Sequence, residues 1–475
     1  MKKSVLFASL LALCSASASA EYKAVSDGCT YENVDNMEIK SMWIRANGTS
    51  YGDWTPLWTE LPFANSNYAR TACIKTSPDG DGSDDKIIVS WEEINADDNN
   101  TGTLGMMSIF NLHNGELEKT MQLTLDGTQL HNLLCANQVG CDDFGNVWIC
   151  GYVATPYDIE KGKANPFVVY SVDLETGALT KQFEVTLPAE EKEATGRCDY
   201  YGLVGDVTRQ EAVCCFMTAP NDSKKPYVYG WKFEQGSDEA TPLMDGESFV
   251  SKDVDETFPA DQAAWGNGSL VRILKDEDFS ASMFYTDGFV TCPTLYDNSC
   301  ALMESFASAI DLSPKPGTNG VAEFSLNGRN FIMYSLEQYN DGATCRANIC
   351  ELGENQSFEG MKLLWTVPET GLGTTSDGGN RYHACETKVY TDKDGVEGAY
   401  VLSFKGRNGM AVYTVAPIGW DNPHGAGVDG IMADDNSNAP VEYFNLNGVE
   451  VSSDNLVPGL YITRQGTKTA KVVVK

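Results

Sequence analysis

Side chains able to do chemistry are few in this chain, and their spacing excludes more reactions than it suggests. The four histidines, His113, His131, His383 and His424, form no H-E-x-x-H pair and none stands beside a C-x-x-C, so zinc lacks a ligand set. No phosphate-cradling G-x-x-x-x-G-K loop occurs, which leaves nucleotide chemistry without a starting residue. Gly371-Leu372-Gly373 opens like a dinucleotide loop but has no third glycine and no helical pattern after it; it reads as a turn. Asp79-Gly80-Asp81-Gly82-Ser83-Asp84-Asp85 sets oxygens at alternate positions, as calcium loops do. Asp84, however, stands where such a loop needs glycine, and Ser90 where it needs a bidentate glutamate. The run is read as a solvated hairpin turn; no cofactor is expected, and Ca2+ is the sole candidate for one. Among 67 Asp and Glu side chains a glycosidase acid–base pair cannot be located from spacing, because its carboxyls need only lie ~5–9 Å apart in space. Trp91-Glu92-Glu93 and Asp206 are the positions to inspect first, and catalytic residues stay unassigned. What does recur is a set of short clusters rich in aromatic, basic and amide groups. They are Asn67-Tyr68-Ala69-Arg70, His131-Asn132, Arg197-Cys198-Asp199-Tyr200, Trp265-Gly266-Asn267 and Arg381-Tyr382-His383.

Each cluster precedes a group of strand-like runs. No long stretch repeats apolar residues at helical spacing, whereas short runs rich in Val, Ile, Tyr, Phe and Trp recur between Gly, Asp and Asn clusters, so the chain reads as nearly all β. Lys86 to Trp91, Asn146 to Tyr152, Phe167 to Val172, Ala212 to Met217, Asn330 to Ser335 and Ala399 to Phe404 all have strand length. One hairpin is written twice: Asn111-Leu112-His113-Asn114-Gly115-Glu116-Leu117-Glu118-Lys119 aligns with Asp173-Leu174-Glu175-Thr176-Gly177-Ala178-Leu179-Thr180-Lys181, an offset of 173 − 111 = 62 residues. Four strands per unit at a period of about fifty to sixty residues is the requirement of a β-propeller blade. Asp143 to Trp148, Asp-Phe-Gly-Asn-Val-Trp, resembles the D-x-x-G-N-V/L-W blade signature of several extracellular propeller families. The expected architecture is an all-β propeller of about six or seven four-stranded blades over residues 67–417. Within residues 21–66, Asn36 to Arg45 supplies a strand that either closes the ring or begins a seventh blade. Two packed β-sandwiches are the competing arrangement.

The ends of the chain speak about address. Lys2 and Lys3, an apolar stretch from Val5 to Leu13 and the small residues Ala18-Ser19-Ala20 read as a signal peptide over 1–20. Residues 418–438 read as a Gly/Asp/Asn-rich linker. Residues 439–475, with Asn445-Leu446-Asn447-Gly448, Pro458-Gly459-Leu460-Tyr461-Ile462 and a basic-apolar finish, are expected to form three strands. They resemble the C-terminal sorting domain of the type IX secretion system, and the rest resembles secreted propeller proteins that carry such tails. The resemblance implies delivery to or beyond the outer surface of a Gram-negative cell. No later stretch reaches the ~20 apolar residues of a membrane span. Removing the signal leaves 14 − 1 = 13 cysteines. Most are read as small buried apolar side chains; Cys135 with Cys150, and Cys292 with Cys300, are the pairs whose spacing would allow a disulfide.

A net charge of −33 repels phosphate backbones and anionic lipid, so nucleic acid is not an expected partner. If the ring closes, the clusters named above converge on one mouth of the channel and offer stacking faces and hydrogen-bond donors to a sugar or a polar peptide. The expected ligand-binding residues are Tyr68, Arg70, His131, Asn132, Arg197, Tyr200, Trp265, Arg381, Tyr382 and His383. The same residues can instead bond neighbouring blades to each other. The favoured function is an exported, monomeric binding or scaffold protein for a glycan or surface protein. The alternatives are a polysaccharide lyase or glycoside hydrolase using carboxylate, Arg, Tyr and His groups at that mouth, or a packing component of a surface assembly.

Overall fold

The computed structural model describes residues 24–46, 60–64, 69–76, 82, 84–94, 103–129, 137–151, 153, 157–158, 161–186, 198–218, 227–234, 241–242, 270–273, 284–288, 291–296, 302–305, 320–336, 345–373, 383–406 and 408–424, and in the tail 441–445, 450–452, 456, 459–465 and 468–474. The first compact unit runs to Asp421 and the second from Asn422 to Lys475. The expected signal peptide lies outside the described residues.

The first unit is built mainly of antiparallel sheets, in most of which the strands follow the chain outward from an innermost one. In chain order the innermost strands are Thr71–Lys75, Gln138–Cys141, Tyr201–Asp206, Leu270–Ile273, Val321–Leu326 and His383–Thr391. Thr71–Lys75 touches both Gln138–Cys141 and His383–Thr391, Tyr201–Asp206 touches Leu270–Ile273, and Val321–Leu326 touches His383–Thr391. Two side chains complete the circuit. Gln138 exchanges two hydrogen bonds with the Tyr201 backbone, at 2.8 and 2.6 Å, and the Glu304 carboxylate accepts from Ser357 Oγ (2.6 Å) and the Phe358 N–H. The sheets therefore follow one another around an axis, as a propeller requires.

Five of these sheets have four strands. The sheet built on Gln138–Cys141 has six, because Thr124–Leu125, continuing from the preceding sheet, pairs in parallel with Ala178–Val185 and Thr128–Gln129 pairs antiparallel with Thr124–Leu125. The expected propeller of four-stranded sheets is present, but of the about six or seven four-stranded blades expected, the described residues form five, beside this sheet of six strands. Met37–Ala46 settles its own role: it pairs with Gly409–Pro417 as the outer strand of the last sheet, so the beginning of the described chain closes what its end opens.

Glu397–Lys405 is covered on both sides, which explains why it is apolar almost throughout rather than alternating, whereas the outer strands Leu117–Gln122 and Ala178–Val185 keep exposed residues. The buried clusters lie between successive sheets, with Trp43, Val89, Tyr400 and Val412 between the last and first and Cys150, Val169, Tyr201 and Trp231 between the second and third. The duplicated hairpin is the fastening device. Gly115 sits at φ +73° against the Trp43 ring, while Trp43 Nε1 donates to Leu112 O (2.7 Å) and Arg45 to Gly115 O (2.9 Å). One sheet on, Gly177 at φ +75° abuts Gln122 O, and Lys119 Nζ donates to Leu174 O and Glu175 O. Both glycines are thus required twice, for backbone conformation and for close approach. A Cβ at position 115 would lie 2.5 Å from the Trp43 indole. Gly115→Ala is expected to lower unfolding free energy by about 2–4 kcal/mol, combining left-handed strain with overpacking, as read by urea titration.

The second unit is a four-stranded sheet, ordered Glu450–Val451, Val441–Phe444, Gly459–Gln465 and Lys468–Val474. The two-residue Glu450–Val451 strand adds to the three expected. No helix among the described residues is long and apolar enough to cross a membrane.

Candidate functional site

The candidate site is built where the chain leads into its innermost strands. Arg70 immediately precedes Thr71–Lys75, Asn137 immediately precedes Gln138–Cys141, and Asp199 and Tyr200 precede Tyr201–Asp206. These three lead-ins meet. Arg70 Nη1 donates to Asn137 Oδ1 at 2.7 Å, Asn137 Nδ2 donates to Asp199 O at 2.6 Å, and the Arg70 guanidinium lies 4.0 Å from Asp199 Oδ1. The Thr71 hydroxyl accepts from the Val139 N–H at 2.8 Å, adding a further tie between the first two sheets. Arg70, Asn137, Gln138, Asp199 and Tyr200 are all buried. The hub therefore joins three successive sheets through buried charge and amide groups.

His383 begins the innermost strand of the last sheet and is wholly buried. Its Nε2 shares a hydrogen bond with Ser403 Oγ, and Lys405 is its cross-strand partner. Burial, reinforced by the Lys405 charge, pushes its pKa down from 6.5 to about 3, so the imidazole is neutral at ordinary pH. Of the ten expected ligand residues, Arg70, Tyr200 and His383 lie among the described residues. Arg70 and Tyr200 belong to the hub, and His383 starts the adjacent inner strand at the same end. Tyr68, His131, Asn132, Arg197, Trp265, Arg381 and Tyr382 lie outside the described residues.

The carboxylates singled out for inspection fall in different places. Glu92 is buried on Lys86–Ile94, two residues past the Ser90 that pairs with Thr71, which puts it level with the hub. Asp206 is a correction: it ends its inner strand at the opposite end, where it accepts from Thr208 Oγ1 (2.9 Å) and Arg209 N–H (3.0 Å) and caps a hairpin. Its partner Asn146 comes from the Asp142-Asp143-Phe144-Gly145 turn, in which Asp142 Oδ1 accepts two backbone N–H groups. Asp392 repeats that geometry, accepting from Asp394 and Val396 N–H at 2.9 and 2.8 Å. These aspartates organise turns.

Sequence reasoning missed Asn137, Gln138, Ser403 and Lys405. A signal existed for the first: Asn137 and Asp199 are 199 − 137 = 62 residues apart, the offset of the duplicated hairpin. Of the acidic run before Lys86, Asp84 pairs with Lys75, and Asp85 accepts from Tyr390 Oη at 3.0 Å and lies 3.2 Å from His113 Nε2. Among the described residues no three His, Cys, Asp or Glu side chains gather to hold a metal ion. Burial pushes the Cys141 thiol up to about 11 and those of Cys214 and Cys350 up to about 12, so these sulfurs keep their protons. The Cys150 thiol donates to Gln138 Oε1 at 3.4 Å. Its expected disulfide partner Cys135 lies outside the described residues.

Neither a known family description nor a curated protein matches the chain. Solved structures do. A DUF4623 family protein from Bacteroides eggerthii is similar at 13% identity and a TM-score of 0.49, covering 84% of this chain and 78% of its own. An alpha-L-arabinanase from Penicillium chrysogenum, complexed with arabinobiose, is similar at 10% identity and a TM-score of 0.42, over 75% of this chain and 96% of its own. A sialidase from Trypanosoma rangeli is similar at 11% identity and a TM-score of 0.42, over 81% of this chain and 60% of its own.

Proposed function

We propose that this protein is an exported propeller that binds a glycan or a surface protein over the channel mouth, acting as a monomeric scaffold at or beyond the outer surface of a Gram-negative cell. Residues 1–20 direct export in this reading, residues 418–438 are a linker, and residues 439–475 are a sorting tail. The observation that supports it is the Arg70–Asn137–Asp199 hub, which draws the lead-ins of three sheets together. A rim held by buried hydrogen bonds loses little freedom on binding, so groups attached to it can hold a ligand with small ordering cost. Tyr68 is two residues from Arg70, Arg197 two from Asp199, and Arg381 two from His383. The ligand contacts are assigned to these neighbours, and the buried hub supports them.

The test is a binding screen of the purified protein against polysaccharides and cell-surface proteins. Tyr68→Ala, Arg381→Ala and Tyr382→Ala are each expected to weaken the interaction found by about tenfold or more, with the thermal midpoint unchanged. Loss of folding in these variants would assign them to bonding between sheets instead. Release of reducing ends or unsaturated sugars from a screened glycan would replace the binding reading with an enzymatic one.

A further inference from the structure

Residues 24–36 belong to no sheet, yet they fill the seam between the outer strands of the last two. On one side they run back along the closing strand. Val25 O accepts from the Ile44 N–H at 2.8 Å, the Asp27 N–H donates to Ser41 Oγ at 3.1 Å, and Val34 and Met37 pair across Asp35 and Asn36. Both turn residues have positive φ, 49° and 63°, so a tight Asp-Asn reversal folds the segment back. On the other side it grips the preceding sheet. Trp365 Nε1 donates to Glu32 O (2.9 Å), Arg329 Nη1 to Asp35 O (3.1 Å), the Glu369 N–H to Tyr31 Oη (3.2 Å), and Lys362 pairs with Asp35.

At the centre sits Asp27, 5% exposed. Its Oδ2 accepts from Tyr31 Oη at 2.6 Å and from Tyr413 Oη at 2.8 Å, and its Oδ1 accepts from the Cys29 N–H at 2.9 Å. The two phenol rings meet edge to face with centroids 5.9 Å apart. Burial and the Asp27 charge push both phenols well above their ordinary range, so they remain donors across physiological pH. The partners are far away in sequence: Tyr413 is 386 residues from Asp27, and Trp365 is 333 from Glu32.

We propose that residues 24–36 are a strap that docks after the last sheet has formed, and that this strap, with Asp27 as its lock, opens and closes independently of the sheets beneath it. Two features of the segment support independence. It contributes no strand to a ladder, and it is hinged at one end by the Asp35-Asn36 reversal. Released, it would uncover Tyr413 and Trp365 along the seam while leaving the pairing of Met37–Ala46 with Gly409–Pro417 intact. The device is thus a clasp on the seam where the ring closes.

Native-state hydrogen exchange on the full chain tests this. The Ile44 N–H group donates to Val25 O of the strap and reports its docking directly. In the wild-type protein it is expected to exchange through openings insensitive to low urea, whereas the Ile88 and Ile149 amides follow the urea-dependent global reaction. Asp27→Ala is expected to speed exchange at Ile44 by about tenfold or more and to change Ile88 and Ile149 by less than about twofold. Tyr31→Phe, which removes one hydroxyl without opening a cavity, is expected to give a smaller rise at Ile44. Equal acceleration at all three amides overturns the proposal, since Asp27 would then stabilise the ring as a whole. So does wild-type exchange of Ile44 only by global unfolding, a result that decides the matter even if the variants do not fold.

Discussion

Replacing Arg70 with alanine is expected to lower the free energy of unfolding by about 3–5 kcal/mol, with or without a ligand present. The guanidinium is one of four buried Lys or Arg side chains among the described residues, and it serves Asn137 and Asp199 at once. Removing it takes a hydrogen bond from the Asn137 amide and leaves the Asp199 carboxylate buried without that cation. The cost of such a deletion is dominated by the charge left behind rather than by the bond removed. Arg70→Lys keeps the charge but not the planar fork, and should recover part of the stability. Urea titration of the three proteins gives the comparison. If Arg70 instead acts mainly on a ligand, the alanine variant will unfold at the wild-type midpoint and lose binding. The neighbouring Tyr68→Ala change carries the opposite expectation, so the pair separates support of the rim from contact with what it holds.

The contrast between those two residues also shows where reading the sequence reaches its limit. Strands buried on both faces carry continuous apolar runs, and those were legible; Phe167–Val172 matches the structure to the residue. The hairpin copied at an offset of 62 was legible for a different reason, because Gly115 and Gly177 are fixed by backbone conformation and contact together. The sheet formed by Leu270–Ile273, Phe284–Gly288, Thr291–Tyr296 and Leu302–Ser305 gave no such signal. Its strands are four to six residues long, Pro293 interrupts one of them, and a charged stretch separates the first two. Thr124–Leu125 and Thr128–Gln129, at two residues each, are too short for any periodicity to register. The lead-in clusters were visible as compositions, but composition could not say which member turns inward. Arg70 and His383 are buried because neighbouring sheets close over them, a consequence of the ring and not of any local pattern.

His383 gives the second large effect, and it depends on pH. An ordinary histidine binds its proton near 6.5, but this one, enclosed beside Ser403 and opposite Lys405, binds it near 3. Between those values the unfolded chain holds a proton that the folded chain refuses. Stability from keeping this imidazole neutral is therefore complete above pH 6.5, falls as pH drops through the interval, and levels off below about 3. The slope for one proton is ~1.4 kcal/mol per pH unit, and the whole span is worth ~5 kcal/mol at most. His383→Gln retains a polar group facing Ser403 and has nothing to titrate. Subtracting its unfolding free energy from that of the wild type cancels the carboxylates that titrate in both. The difference should be flat above pH 6.5 and shrink steadily below it. Parallel curves would mean that the folded protein protonates His383 as readily as the unfolded chain does. The neutral, enclosed imidazole has a consequence for the mouth as well. A group that must desolvate a cation to accept a proton is a poor general base near neutrality, so if a screened glycan proves to be cleaved, another side chain must transfer the proton, and among the described residues Glu92 and Asp199 are buried carboxylates at the same end.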